Sequence, residues 1–339
     1  MNLPTVTNSD PTGPLLDTFG RVHNNLRISV TDRCNLRCTY CMPEEVTFMD
    51  KQELLTYEEI ARFVRIVAPL GIDKIRLTGG EPLLRRDLPR LVAMLAEIPG
   101  IRDIGLTTNG ILLAHLAQPL FDAGLRRINI SLDTLDTGRF HQLARRDGLE
   151  KVLEGIHAAK KAGFAPVKVN AVSIRGFTEF EVVPLAQFAR AHGLEMRFIE
   201  YMPIGADAWE RDKVYFAHEI LEEIEQHVAP LVPATNYDPK APAMEFDYAD
   251  GGGRVGIIAS VSRPFCMSCN RIRLTADGKL RNCLFALKEV DLKPLLRGDT
   301  HSDELGAIVR ANVWEKWEGH EINTARFVKP TRTMHTIGG

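Results

Sequence analysis

Short runs in which apolar and polar residues alternate recur along the chain, most of them followed by a longer stretch with helical spacing. Residues 26–30, Lys74–Thr78, 104–107, Arg127–Ser131, 167–171 and 196–200 read as strands. Helical patterns cover 57–70, 88–98, 112–123, 151–162 and 180–192. Thr56 and Glu59 form a capping box at the first of these, and Gly71, Gly100, Gly124, Gly163 and Gly193 follow the helices as C-caps. Strand–helix alternation at this spacing predicts an α/β fold with a parallel sheet. Six units are too few for a closed eight-stranded barrel, so the expectation is a partial (βα)6 TIM-like barrel.

The strands carry a second message. Strands of a parallel sheet are usually apolar on both faces. Here Arg27, Ser29 and Thr31 alternate with Leu26, Ile28 and Val30, and Lys74, Arg76 and Thr78 alternate with Ile75 and Leu77. Arg127, Asn129 and Ser131, then Lys168 and Asn170, repeat the pattern. With the apolar set covering the helices, the polar set lines an interior wide enough for a polar ligand. Arg27, Lys74, Arg76 and Lys168, joined by Arg197, make that interior cationic. A ligand with several negative charges, such as a polyphosphate, would offset their repulsion and desolvation. Antiparallel strands with a solvated face, or cations paired singly with carboxylates, would also give such a pattern.

Composition narrows the class. The chain has 339 residues, 45% of them hydrophobic and 25% charged, with a formal net charge of −2. That balance fits a soluble globular protein and gives no reason to expect nucleic acid or a membrane surface as partner. Residues 1–10 lack the apolar core of a leader, and a cytoplasmic location is expected. Residues 1–19 read as an N-terminal arm, 20–228 as the barrel and 229–339 as a second region. The last is rich in Pro and Gly, with short antiparallel strands and helices expected to close the barrel mouth. Trp314 and Trp317, three apart, read as one face of a helix packed on the barrel.

The six cysteines fall into two groups of three. Cys34, Cys38 and Cys41 form C-x3-C-x2-C after the first strand; Cys266, Cys269 and Cys283 form C-x2-C-x13-C. A reducing compartment favours metal sites over disulfides for such clusters. Three thiolates are one short of a closed zinc site, but on a cubane [4Fe–4S] cluster they leave one iron open to a small molecule. A zinc knuckle or ribbon completed by a distant ligand, His301 or His320 for the second group, uses the same residues. After the second strand comes Thr78-Gly79-Gly80-Glu81-Pro82, where small residues let a ligand approach the backbone at the end of the sheet that holds barrel active sites.

On Cys34, Cys38, Cys41 and the Gly-Gly-Glu-Pro run, the chain resembles radical S-adenosylmethionine (SAM) enzymes. With the second triad, Thr107-Thr108-Asn109-Gly110, Arg271-Ile272-Arg273 and the terminal Gly338-Gly339, it resembles their GTP 3′,8-cyclase family, which opens molybdenum cofactor biosynthesis. The resemblance implies two [4Fe–4S] clusters, with SAM on the first and the guanine base of GTP on the second. It implies SAM contacts at Tyr40, Gly80, Ser131 and Met202. GTP contacts are implied at Arg27, Arg76, Thr107, Lys168, Arg271, Ile272 and Arg273, with Lys74, Arg197 and Asn170 as further pocket residues. Gly338 and Gly339 are implied to reach the active site. In that chemistry SAM cleavage yields a 5′-deoxyadenosyl radical, which takes the hydrogen from C3′ of GTP. The carbon radical attacks C8, and an electron and a proton complete (8S)-3′,8-cyclo-7,8-dihydroguanosine 5′-triphosphate. Implied partners are an electron donor such as flavodoxin or ferredoxin and the downstream cyclic pyranopterin monophosphate synthase; a monomer or a homodimer fits equally. A two-cluster peptide or sulfatase maturase is the alternative enzyme. A zinc- or iron–sulfur-stabilised electron-transfer or interaction protein is the alternative without catalysis.

Overall fold

The computed structural model describes residues 13–205 and 208–338. Alternating aliphatic positions build six strands: β1 (Asn25–Ser29), β2 (Lys74–Thr78), β3 (Asp103–Thr108), β4 (Arg127–Ser131), β5 (Val167–Ser173) and β6 (Glu195–Glu200). Each of the first five pairs in parallel with the next. The helices between them are α1 (Tyr57–Val67), α2 (Leu88–Ala96), α3 (Leu113–Asp122), α4 (Thr137–Ala144), α5 (Leu149–Lys161) and α6 (Val182–His192). The Thr56 hydroxyl accepts from Glu59 N–H while the Glu59 carboxylate accepts from Thr56 N–H, which starts α1 where the capping box requires. The short α4, preceding α5, had no counterpart in the sequence reading.

The C-terminal region adds α7 (Ala217–His227), α8 (Lys293–Arg297), α9 (Ser302–Trp314) and α10 (Met334–Ile337). It also adds β7 (Leu231–Pro233), β8 (Met244–Tyr248), β9 (Arg254–Ile258), β10 (Arg271–Leu274), β11 (Lys279–Arg281) and β12 (Val290–Asp291). All join one sheet in the order β12-β11-β10-β1-β2-β3-β4-β5-β6-β9-β8-β7. β10 is parallel to β1 and β9 parallel to β6, so eight neighbouring strands run the same way; β7, β8, β11 and β12 are antiparallel additions at the two edges. This region therefore extends the sheet on both sides.

Leu26, Ile28, Ile75, Leu77, Ile128 and Ile130 are fully buried against α-helical residues such as Phe63, Val64, Leu91 and Val152. Each such side chain contributes about 1.5–3 kcal/mol on burial. A smaller apolar cluster of Ile204, Val214, Val261, Phe285, Ile322 and Ile337 lies under the C-terminal segments. The segment read as an arm is anchored from Gly13 onward: Leu15 is buried in the main core and its N–H donates to Leu70 O. Residues 1–12 lie outside the described residues. Trp314 ends α9 and Trp317 lies beyond it, and both are exposed, so they do not form the packed helical face that their spacing suggested.

Candidate active site

The first cysteine loop leaves β1 and folds back over the start of the β2 loop. Gly80 N–H donates to Thr31 O at 2.7 Å, and Glu81 N–H to Arg33 O at 2.7 Å. A Cβ on Gly80 would lie 2.5 Å from both Asp32 O and Arg33 O, so the loop backbone itself requires glycine there. Glu81 is buried and accepts from Leu83 N–H, Asn109 N–H and the Thr108 hydroxyl. Burial pushes its carboxyl up to about 7 against those donors. Asn109 links the motif back to the cysteines, donating to Asn35 Oδ1 at 2.8 Å and lying 3.9 Å from Cys34 Sγ.

Cys34, Cys38 and Cys41 are free thiols that sense one another's charge, and burial holds all three above their ordinary range, Cys34 at about 11 and Cys41 at about 12. Three thiolates so placed need a cationic group to hold them. Among the described residues no three His, Cys, Asp or Glu side chains close on a point as a single metal ion demands. Tyr40, between the cysteines, donates its hydroxyl to Asp133 Oδ2 at 2.8 Å, and Asp133 Oδ1 accepts from Val172 N–H at 2.7 Å. Ser131, half-buried at the end of β4, stands in register with Asn170 of β5, whose buried Oδ1 has no partner. That orphan acceptor and the glycine step at Gly80 suit a polar organic ligand beside the cysteines. Met202 packs on the smaller apolar cluster.

The second triad lies at the opposite end of the parallel strands. Cys266 and Cys269 precede β10, which runs parallel to β1, and Cys283 follows the antiparallel β11. β1 spans about 13 Å between the two ends. Burial opposes ionisation of Cys269, but Arg271 and Lys316 outweigh it and bring the thiol down to about 6. Arg271 Nη2 and Lys316 Nζ each reach its Sγ at 3.4 Å. Arg21, held by Asp17, donates to the carbonyls of Cys266, Trp317 and Glu318 and so fixes the loops on both sides of this triad.

Between the triads lies the cationic wall, and it divides in two. Arg273, Arg27 and Arg76 are direct neighbours in register on β10, β1 and β2. No carboxylate among the described residues pairs with any of them. Burial lowers all three, Arg27 to about 9, and repulsion from neighbouring arginines adds to it, from Arg271 and Arg127 on Arg27 and from Arg27 among others on Arg76 and Arg273. Arg76 crosses β3 to donate to Asn129 Oδ1 on β4 at 2.8 Å, passing over Gly105, where a Cβ would come within 3.2 Å of the guanidinium. Lys74, Lys168 and Arg197, by contrast, are ion-paired: Lys74 with Asp238 at 3.1 Å, Lys168 with Glu195 at 2.8 Å, and Arg197 with both Glu195 and Glu245. For these three the paired alternative that the strand pattern left open holds, and the carboxylate that decides it for Lys168 is Glu195, its register partner on β6.

Other predicted residues separate as cleanly. Thr107 is half-buried and in register with Asn129. Ile272 is fully buried in the main core opposite Leu26, so it presents only its backbone to the interior. Gly338 packs against Ser29 and Thr78, and its carbonyl accepts from Arg273 Nη1. Gly339 lies outside the described residues. His301 is exposed and beside Asp303; His320 has its backbone against Cys266. Sequence reasoning missed Asp133, Lys316 and Arg21. No spacing marks them, since each acts through a partner distant in the chain.

Comparison with known proteins bears on the whole chain. The Radical SAM superfamily model matches residues 28–189, and the Molybdenum Cofactor Synthesis C model matches residues 194–322. A GTP 3′,8-cyclase of Rhodopirellula baltica is 46% identical over 330 residues, covering 96% of this chain and 92% of the relative. One from Acidothermus cellulolyticus is 50% identical over 313 residues, covering 90% and 86%. The crystal structure of Streptococcus suis SuiB bound to the precursor peptide SuiA shares the fold, with a TM-score of 0.58 at 15% identity over 88% of this chain and 67% of that one. Nearly full-length identity to the cyclases, with both family models in tandem, shows that the chain belongs to the GTP 3′,8-cyclase family of the radical SAM superfamily.

Proposed function

We propose that the chain converts GTP to (8S)-3′,8-cyclo-7,8-dihydroguanosine 5′-triphosphate, the first step of molybdenum cofactor biosynthesis. One observation carries the reading: three arginines without carboxylate partners among the described residues, the buried Arg273 and the half-buried Arg27 and Arg76, stand side by side between two cysteine triads. A triphosphate matches them in charge and in bidentate geometry. Cys34, Cys38 and Cys41 would hold the cluster that binds SAM; Cys266, Cys269 and Cys283 would hold a second. When bound, SAM and the first cluster supply the radical that removes hydrogen from C3′.

The chain's own residues do the rest. Arg27, Arg76 and Arg273 bind the triphosphate. Arg271, Lys316 and Arg21 fix the second triad, and the Asp133–Tyr40 hydrogen bond holds an aromatic ring beside the first. Ser131, Gly80, Met202 and the unpartnered Asn170 carbonyl line the SAM side, and Thr107 and Lys168 the GTP side. The sheet acts as a partial barrel, 20–228, whose cavity keeps water from the reactive carbon, with 229–339 completing the substrate site. The protein works in the cytoplasm, takes electrons from a flavodoxin or ferredoxin, and passes its product to cyclic pyranopterin monophosphate synthase.

GTP deuterated at C3′ is the test. With reductant, anaerobically reconstituted protein holding about eight irons should place that deuterium in 5′-deoxyadenosine. Deoxyadenosine formed without label would refute the cyclase reading. Cyclised product from Cys283→Ala at the wild-type rate would refute the second cluster's role.

A further inference from the structure

The C-terminal segment is tied down at its base by a network that the substrate site does not use. Arg332, two residues before α10, donates Nη2 to Asp277 Oδ2 at 2.8 Å and Nη1 to Asp277 Oδ1 at 3.2 Å. Its Nε donates to Glu289 Oε2 at 3.0 Å. Glu289 also pairs with Arg281, which is 98% buried on its side-chain surface and donates further to the Leu284 and Ala286 carbonyls. Charges therefore alternate along Arg281, Glu289, Arg332 and Asp277, with Glu289 bridging the two guanidinium groups and Asp277 holding the far side of Arg332. Asp277 lies in the β10–β11 turn, at the same end of the sheet as the first cysteine loop.

The far end of the same segment is held by the same pair of strands. Arg281 on β11 is the register partner of Arg273 on β10. Arg273 binds the Gly338 carbonyl, while Arg281 holds Glu289 and through it Arg332. Between these points His335 is buried with its backbone against the Cys41 thiol, and Ile337 fills the smaller apolar cluster. Base and tip of a six-residue step are thus referenced to two paired positions on one hairpin, with the first cysteine loop beneath.

We propose that the Arg281–Glu289–Arg332–Asp277 network is a clasp that seats the C-terminal tail, and that Arg332 is a positioning residue for the cyclisation. The inference rests on the cyclase reading for its consequence, though not for its geometry. Neutral glycine at the tip has little affinity of its own for the wall. The forked, charge-assisted bonds at the base hold it there, and a lysine cannot reproduce that fork.

The test uses the full-length, two-cluster protein and the variants Arg332→Gln, Arg332→Lys and Glu289→Gln. Loss of the fork should speed amide exchange in residues 333–338 by about tenfold or more, since local opening is governed by just these contacts. Iron content at both triads should stay at the wild-type level. SAM cleavage should continue, but cyclised product per 5′-deoxyadenosine should fall by about tenfold in Arg332→Gln and less in Arg332→Lys. Unchanged exchange in both Arg332→Gln and Glu289→Gln overturns the clasp. So does fast exchange with undiminished coupling, or loss of iron from the second triad, which would mark the network as a support for that site. A wild-type protein that makes no cyclised GTP would sink the cyclase reading, while the exchange arm would still decide the clasp.

Discussion

Replacing Gly80 with alanine perturbs the first cysteine loop by a calculable amount. The added Cβ would lie 2.5 Å from the backbone oxygens of Asp32 and Arg33. A carbon–oxygen contact needs about 3.3 Å, so the loop must retreat by about 0.8 Å. Neither oxygen belongs to a flexible side chain, and the Gly80 and Glu81 N–H bonds to Thr31 and Arg33 oppose the movement. Cys34 follows directly, so the displacement is passed to the thiols. A misplacement near 1 Å costs about 10²-fold in rate, equivalent to about 2.7 kcal/mol. Gly79→Ala meets Thr31 O at 2.8 Å and demands only about 0.5 Å, so it should be milder. The assay is reductive formation of 5′-deoxyadenosine from SAM, with iron counted separately at the two triads through a Cys266→Ala background. The expected order is wild type, Gly79→Ala, Gly80→Ala, with iron at the second triad unaffected. Gly80→Ala cleaving SAM within twofold of wild type would refute the steric account, because Gly80 is not among the positive-φ glycines and no backbone strain is left to invoke.

Other outcomes follow from the same contacts. Arg76→Ala should weaken GTP binding by about tenfold or more, as expected for a lost charge-assisted contact. Lys74→Ala, whose side chain is 31% exposed and paired with Asp238, should weaken it less; isothermal titration showing the reverse order would overturn the division of the wall. Glu195→Ala removes the shared partner of Lys168 and Arg197; Arg197 keeps Glu245, but the largely buried Lys168 is left unpaired, which should destabilise the fold by about 3 kcal/mol, read as a lowered urea midpoint. His23 is fully buried, faced by Lys316, Asp17 and Arg21, and burial lowers its imidazole to about 4 from 6.5. The unfolded chain then binds the extra proton between those values, so stability is full above pH 6.5 and falls toward pH 4, by an amount on the order of 3 kcal/mol. His23→Gln should flatten the urea midpoint over that window; an unchanged slope would show that His23 does not govern it.

What the sequence disclosed was whatever has a short period. Alternation at Arg27-Ile28-Ser29 and Lys74-Ile75-Arg76 located β1 and β2 and their two faces, and the Thr56/Glu59 capping box marked the start of α1. Close cysteine spacing marked both triads. Features that depend on who meets whom across the sheet were hidden. The C-terminal region reads as short antiparallel strands, and nothing local says that β9 and β10 lie parallel to β6 and β1 and lengthen the row to eight. Gly105 looks like an ordinary strand residue until Arg76 is seen lying across it. Glu195 opens β6 without any motif, yet it decides that Lys168 and Arg197 are paired.

That pairing bears on how the two halves of the cationic wall answer a ligand. Buried cations destabilise a fold unless something neutral or anionic compensates them. On the β5–β6–β8 side the compensation is built in, through Glu195 and Glu245. On the β10–β1–β2 side it is not: among the described residues no carboxylate pairs with Arg273, Arg27 or Arg76, Arg27 repels both its neighbours, and the hydrogen bonds offered to the row are those of the Gly338 carbonyl and Asn129. The unpaired side therefore carries a standing cost in the free protein that a polyanion relieves on binding. This makes the affinity of that side strongly dependent on ligand charge, whereas the paired side can recognise shape and hydrogen bonds with little net charge change. Nucleoside di- and monophosphates should accordingly lose affinity stepwise relative to the triphosphate. Arg27→Gln should compress those steps, because removing one cation lowers the repulsion that the phosphates relieve. Competition against labelled GTP measures both, and equal affinities for the three nucleotides would show that the arginine row is not a phosphate site.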